Sequence, residues 1–68
     1  MKTYYVIYNL DEGKYFNHSL QGKFLIDKIN RASEYVTKNK AIEILDEMSN
    51  ELIKLKLKRW KIEKVIEI

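Results

Sequence analysis

Nucleophilic catalysis needs a Ser, Cys or Thr beside a base, usually a histidine, with a third group orienting that base. The sequence offers one histidine, His18, beside Ser19, and no cysteine. Neighbouring residues of an extended segment point to opposite faces, so His18-Ser19 is not a dyad, and an exposed or hydrogen-bonded histidine is the better reading. Paired carboxylates work as acid and base only in a cleft that separates their pKa values. Asp46 and Glu47 fall instead on the polar side of a predicted helix, and Asp27 precedes a predicted turn that its side chain would tighten. A single histidine and scattered acids match neither a zinc spacing nor a calcium loop. Gly13 and Gly22 lack the pattern of a phosphate-binding loop. The residues therefore predict no catalytic set, no metal and no cofactor.

What remains is aromatic and basic. Five tyrosines and one tryptophan accompany a net charge of +3. The excess is local, since residues 54–68 hold six basic groups against two acidic ones, a balance of +4. Such a field attracts an acidic protein surface, nucleic acid or anionic lipid. Arg59-Trp60-Lys61 could clamp a phosphate backbone while the indole stacks on a base. The competing and favoured reading makes Trp60 a core anchor and the lysines a solvated edge that discourages strand pairing. The predicted binding residues are Tyr4, Tyr8 and Tyr15 with Lys58, Arg59 and Lys61.

These side chains need elements to position them. Thr3–Leu10 is rich in β-branched and aromatic residues, with Tyr4, Val6, Tyr8 and Leu10 on one side and Tyr5 and Ile7 on the other, as in a strand covered on both faces. Asp11-Glu12-Gly13-Lys14 supplies a turn, and Tyr15–Ser19 returns as its hairpin partner. Between Gln21 and Val36 neither periodicity holds for long. Phe24–Ile26 reads as a short extended piece, Lys28–Ala32 as a turn or single helical turn, and Glu34–Val36 as extended. Thr37 is a predicted N-cap. Beyond it Ala41, Leu45, Met48 and Leu52 recur at helical steps, widened by Ile42 and Ile53, which predicts one amphipathic helix over 38–53. Trp60, Ile62, Ile66 and Ile68 alternate with Lys61, Glu63 and Glu67, which predicts a final strand after the Lys-Leu-Lys-Leu-Lys lead-in.

The order gives a single α+β domain over 1–68, a small, mainly antiparallel sheet covered on one face by one helix. Its second face is expected to be bare and partly apolar. At 68 residues the chain buries only about 60% of the surface its unfolded form exposes, so the core is thin, and a partner would add to it. No apolar run approaches the roughly 20 residues that span a membrane, and Met1-Lys2-Thr3-Tyr4 lacks a signal peptide's apolar stretch. With no cysteine to oxidise, a cytoplasmic location without membrane attachment is the expectation.

Tyr5-Val6-Ile7, Gly13-Lys14-Tyr15-Phe16, Asp27-Lys28-Ile29-Asn30-Arg31-Ala32, Tyr35-Val36-Thr37 and Ala41-Ile42-Glu43-Ile44-Leu45 follow in an order with a family look. The chain resembles a group of small, mostly uncharacterised one-helix-on-sheet proteins encoded by phages and mobile elements of low-GC Gram-positive bacteria. It differs in having Lys28 between Asp27 and Ile29. The resemblance implies a fold and a context and transfers no site residue. In that context the leading expectation is a non-catalytic, phage-encoded binding protein that modulates or inhibits a host protein such as a defence nuclease, in the manner of an anti-CRISPR protein. One alternative is a small nucleic-acid-binding module using the basic strand and the aromatics. Another is a structural homodimer formed through sheet edges or the open face.

Overall fold

The computed structural model describes residues 1–19 and 24–68; Gly22 and the opening of the Gln21–Val36 stretch lie outside them. Strands β1 (Lys2–Asn9), β2 (Lys14–Phe16), β3 (Leu25–Ile26) and β4 (Trp60–Glu67) form one antiparallel sheet in the order β3-β2-β1-β4. Two helical pieces, α1 (Lys38–Glu47) and α2 (Ser49–Lys54), complete a small α+β domain.

β1 is the central strand because both of its faces are apolar, and Val6 and Ile7 are both 0% exposed. It pairs with β4 over all eight residues, from Lys2 opposite Glu67 to Asn9 opposite Trp60. Its other edge is shared. Tyr8 and Asn9 pair with Tyr15 and Lys14 of β2, and further back Tyr5 exchanges backbone hydrogen bonds of 2.8 and 2.9 Å with Tyr35. The extended reading of Glu34–Val36 thus takes the form of an isolated bridge.

The hairpin between β1 and β2 turns on Asn9 and Gly13. Gly13 has a φ of +66°, where a side chain would be strained. Asn9 is buried, an outcome its polarity did not suggest, and all of its polar groups are used. Its Oδ1 accepts from the Glu12 N–H at 2.8 Å, its carbonyl accepts from the Gly13 N–H at 2.9 Å, and its Nδ2 donates to the Lys58 carbonyl at 2.9 Å. The return strand is shorter than predicted, ending at Phe16. Asn17 leaves it to bind the loop, donating through Nδ2 to the Arg31 carbonyl at 2.6 Å.

Thr37 caps α1 as predicted, its hydroxyl accepting from the Lys40 N–H at 3.1 Å. The single helix expected over 38–53 is instead bent at Met48, whose φ and ψ are −91° and 1°. Hydrogen bonds still cross the bend, from the Met48 N–H to the Ile44 carbonyl and from the Leu52 N–H to the Met48 carbonyl, each 3.0 Å. Ala41 and Leu52 are buried against the sheet, with Ile44, Leu45 and Met48 packed beside them. Ile42 and Ile53, expected within that stripe, are exposed. Ile42 follows Ala41 by one residue and so lies about 100° round the helix, whereas Ile44 is three from Ala41 and four from Met48.

The core has two parts. On the helix side Ile7, Phe16, Tyr35, Ala41 and Leu52 form one cluster, and Trp60 meets Phe16 edge-on at 5.9 Å. On the opposite side Tyr4, Val6 and Ala32 form a second, with Tyr15 and Val65 against it. The second sheet face, expected to be bare, is therefore covered at one end by the chain that follows a 3-10 turn at Ile29–Arg31. The Ser33 N–H donates to the Phe16 carbonyl at 3.0 Å and holds that chain down. Asp27 does not tighten this turn as predicted; its largely exposed carboxylate lies 3.7 Å from Lys14 Nζ.

Ile7→Ala is expected to lower stability by about 2–5 kcal/mol, because it opens a cavity in the larger cluster. Ile42→Ala, on the solvent side of α1, should stay within about 0.5 kcal/mol. Urea unfolding of both variants distinguishes the two sites. Tyr35 gives a second prediction, since among the described residues its buried hydroxyl has no hydrogen-bond partner. Burial pushes its phenol above the ordinary value of 10.0, with Ser33 pulling the other way. The neutral form is then favoured in the fold, so this contribution to stability is full below the unfolded pKa and is lost as pH rises through the folded one. Tyr35→Phe should match or exceed the parent at neutral pH and unfold less readily above pH ~10, as read from urea midpoints at the two pH values.

Candidate functional site

Strand register decides which of the predicted binding residues meet. Ile26 of β3 faces Tyr15 of β2, Tyr15 faces Tyr8 of β1, and Tyr8 faces Lys61 of β4. Directly opposite residues share a face, so these four form one row across the sheet on the side away from the helices. The Tyr8 and Tyr15 rings meet edge to face with centroids 5.0 Å apart. Both are half-buried and Lys61 is exposed, which leaves an aromatic pair with a cation at its end.

The other predicted residues do not join this row. Tyr4 lies on the same face two rows away, where the covering chain reaches, and is only 5% exposed. Its hydroxyl donates to Glu67 Oε1 at 2.8 Å, and Lys2 Nζ sits 5.0 Å from its ring centroid while also meeting Glu34 at 2.8 Å. The hydrogen bond to Glu67, then burial, raises the Tyr4 phenol above its ordinary value, and the Glu34 carboxylate raises the Lys2 ammonium. Arg59 turns toward the hairpin, with Nε 2.7 Å and Nη2 2.6 Å from Asp11 Oδ1. That ion pair is surface-exposed and worth no more than about 1 kcal/mol. Lys58 lines an apolar pocket of about 260 Å³ on the helix side, with Leu45, Ser49, Leu52, Ile53, Leu57 and Trp60.

The dispersal of Lys58, Arg59 and Lys61 has a backbone cause. Residues three apart in extended chain already face opposite sides, which parts Lys58 from Lys61, and between them Arg59 has a left-handed φ of +56° that takes its side chain out of the alternation. Trp60, whose indole was weighed as a base-stacking platform, packs instead with the helix-side cluster. His18 is exposed; its N–H donates to the Ser33 hydroxyl at 2.8 Å, while the Ser19 hydroxyl donates to Asn17 Oδ1 at 2.6 Å.

Glu63 and Ile26 belong to this face and were not singled out in the sequence. Glu63 sits two residues along β4 from Lys61 and opposite Val6. Burial, then the Glu63 charge and then Tyr8, raises the Tyr15 phenol above its ordinary value. The alternation of β4 contained the signal for Glu63, but only the register sets it near Tyr15.

Among the described residues no group of three or more His, Asp or Glu side chains is placed to hold a metal ion. No helix among them is long and apolar enough to cross a membrane. Comparison of the chain with protein-family models, curated proteins and solved structures finds no match.

Glu63→Gln is expected to lower the Tyr15 pKa while leaving it above the ordinary value, because burial, the larger cause, remains. Observation of the tyrosine ring carbons by NMR across pH 8 to 12 reads this directly.

Proposed function

We propose that this chain is a non-catalytic binding protein whose contact surface is the Tyr15–Tyr8–Lys61 row. The observation that supports this most is the row itself. Two tyrosines already packed edge to face present large, stiff contact area with little side-chain freedom left to lose, and Lys61 adds a charge at their edge. Aromatic anchors flanked by a cation suit a protein surface that offers a shallow apolar recess beside a carboxylate. The resemblance to small phage proteins directs the choice of partner to a host protein, with a nucleic-acid-guided defence nuclease as the leading class. The role that follows is inhibition by occupancy of a host surface.

Nucleic acid is the weaker reading. Trp60 is committed to the core, Arg59 is neutralised by Asp11, and Lys58 and Lys61 lie on different sides of the sheet.

Affinity capture from lysates of low-GC Gram-positive hosts tests the proposal. A stoichiometric host protein should be retained by the parent chain and lost, by about tenfold or more in affinity, on combining Tyr15→Ala with Lys61→Glu. The double variant must keep the parent's circular dichroism. Retention of the partner by the double variant, or no stoichiometric partner in any host, overturns it. Binding to nucleic acid with a log-log salt slope near −3 to −4 would replace it with the nucleic-acid reading.

A further inference from the structure

β4 has β1 on one side and, among the described residues, no strand on the other. The exposed edge is eight residues long, whereas β3, at the opposite end of the sheet, has two. Which backbone groups of β4 are free follows from the pairing. The Leu10 N–H donates to the Arg59 carbonyl at 2.9 Å, and Tyr5 turns both of its backbone groups away from β4 toward Tyr35. Hydrogen-bonded and non-hydrogen-bonded pairs alternate along an antiparallel ladder. Lys61, Glu63, Val65 and Glu67 therefore face β1, and the N–H and C=O of Trp60, Ile62, Lys64 and Ile66 point outward.

We propose that a second copy of this chain pairs antiparallel with this edge, in the register centred on Ile62, to give one continuous eight-stranded sheet. Charge selects both the occupant and the register. Edge-to-edge pairing of two copies about a two-fold axis sets each residue opposite one on the same face, so the axis must pass through a residue. Centred on Ile62, Lys61 lies opposite the partner's Glu63, and Glu63 opposite the partner's Lys61. Trp60 lies opposite the partner's Lys64, where an ammonium can sit over the indole. Each other register centred between Trp60 and Val65 sets like charges together, and the one centred on Ile66, which does not, overlaps only the last three residues of the strand. Centring on Lys61, Glu63 or Lys64 opposes that residue to itself. Centring on Trp60 opposes Arg59 to Lys61, and centring on Val65 opposes Glu63 to Glu67.

The backbone agrees with this choice. Ile62, Trp60 and Lys64 are all outward-facing, so the central pair and the two beside it are hydrogen-bonded pairs, six bonds in all. The Lys61 and Glu63 pairs fall in non-hydrogen-bonded positions, where opposing side chains are closest. Shape agrees as well. Ile66 is 54% exposed and shares its face with Trp60 and Ile62. In the paired sheet the Trp60, Ile62 and Ile66 side chains of both copies then lie on one shared face. The contact is isologous, so it closes at two copies and does not propagate.

Sedimentation equilibrium from about 1 µM to about 1 mM should show a monomer–dimer transition. Glu63→Lys turns two attractions into repulsions and should weaken the dimer about tenfold or more. The charge swap Lys61→Glu with Glu63→Lys should restore it to within about threefold of the parent. Lys64→Pro removes an outward N–H without touching the bonds to β1, and should leave a folded monomer. A parent that stays monomeric up to 1 mM overturns the proposal, leaving the edge to an extended segment of some other protein. A dimer that survives Lys64→Pro overturns it too, as does a folded charge swap that fails to restore association. Should Glu63→Lys fail to fold, the Lys64→Pro result decides alone.

Discussion

Every other element answers to the demands of β1. Val6, Ile7 and Asn9 are wholly buried, Tyr4 nearly so, and the strand uses both edges as well as both faces. A strand apolar on both sides has no stable place at a surface, so a short chain must cover it twice. The helices cover Tyr5 and Ile7, the chain at Ala32 covers Tyr4 and Val6, and β4 runs the whole length of one edge. Asn9 marks where the strand must stop. Its amide is satisfied by Glu12 on the turn and by Lys58 on the lead-in to β4, so one side chain fixes both the hairpin and the entry of the last strand. An unpartnered amide at that depth would cost about 1–3 kcal/mol, which explains why the turn and the lead-in meet there.

Much of this was legible because it depends on local period. The two faces of β1, the Thr37 cap, the Ala41–Leu52 stripe and the alternation of β4 are all statements about residues a few positions apart. The failures share a different cause. Ala32 gave no sign that it would cross the sheet, because a small residue after a 3-10 turn has no periodicity to read. The bend at Met48 involves neither proline nor glycine, and Ile53 falls outside the stripe because it follows the buried Leu52 by one residue, about 100° round the helix. Tyr4 and Tyr8 were equivalent by alternation. Only the path of a distant segment made the first a core residue and left the second half-open. Lys58, Arg59 and Lys61 look like one cluster in sequence, but alternation parts Lys58 from Lys61 and the left-handed backbone at Arg59 accompanies its turn toward Asp11.

The positive excess of the C-terminal segment is correspondingly reduced. Arg59 is paired with Asp11, and Glu63 and Glu67 lie among the lysines of β4. What is left is a set of lysines spread over both sides of the sheet and its edge, closer to a diffuse attractive field than to a binding groove. Such a field speeds encounter with an acidic partner and falls off within about 8–10 Å at ordinary salt. The specificity of any contact must then come from groups fixed by packing, and on the second face those are Tyr8 and Tyr15.

One strand thus carries three roles that larger proteins distribute over several elements. Trp60 and Ile62 of β4 fill the helix-side core, Lys61 and Glu63 decorate the opposite face, and the outward amides and carbonyls between them form the free edge. These roles are separable because side chains alternate across a strand while hydrogen bonds alternate along it, so each residue serves a face with its side chain and an edge with its backbone. Lys61 is where the roles touch, since it ends the tyrosine row and also sets the charge pattern of the edge. Uniformly basic side chains on β4 would have kept a second copy of this strand away. The interleaving of Lys61, Glu63, Lys64 and Glu67 instead spares, among registers that overlap most of the strand, the one centred on Ile62, which is how an exposed edge on so small a sheet stays selective rather than adhesive.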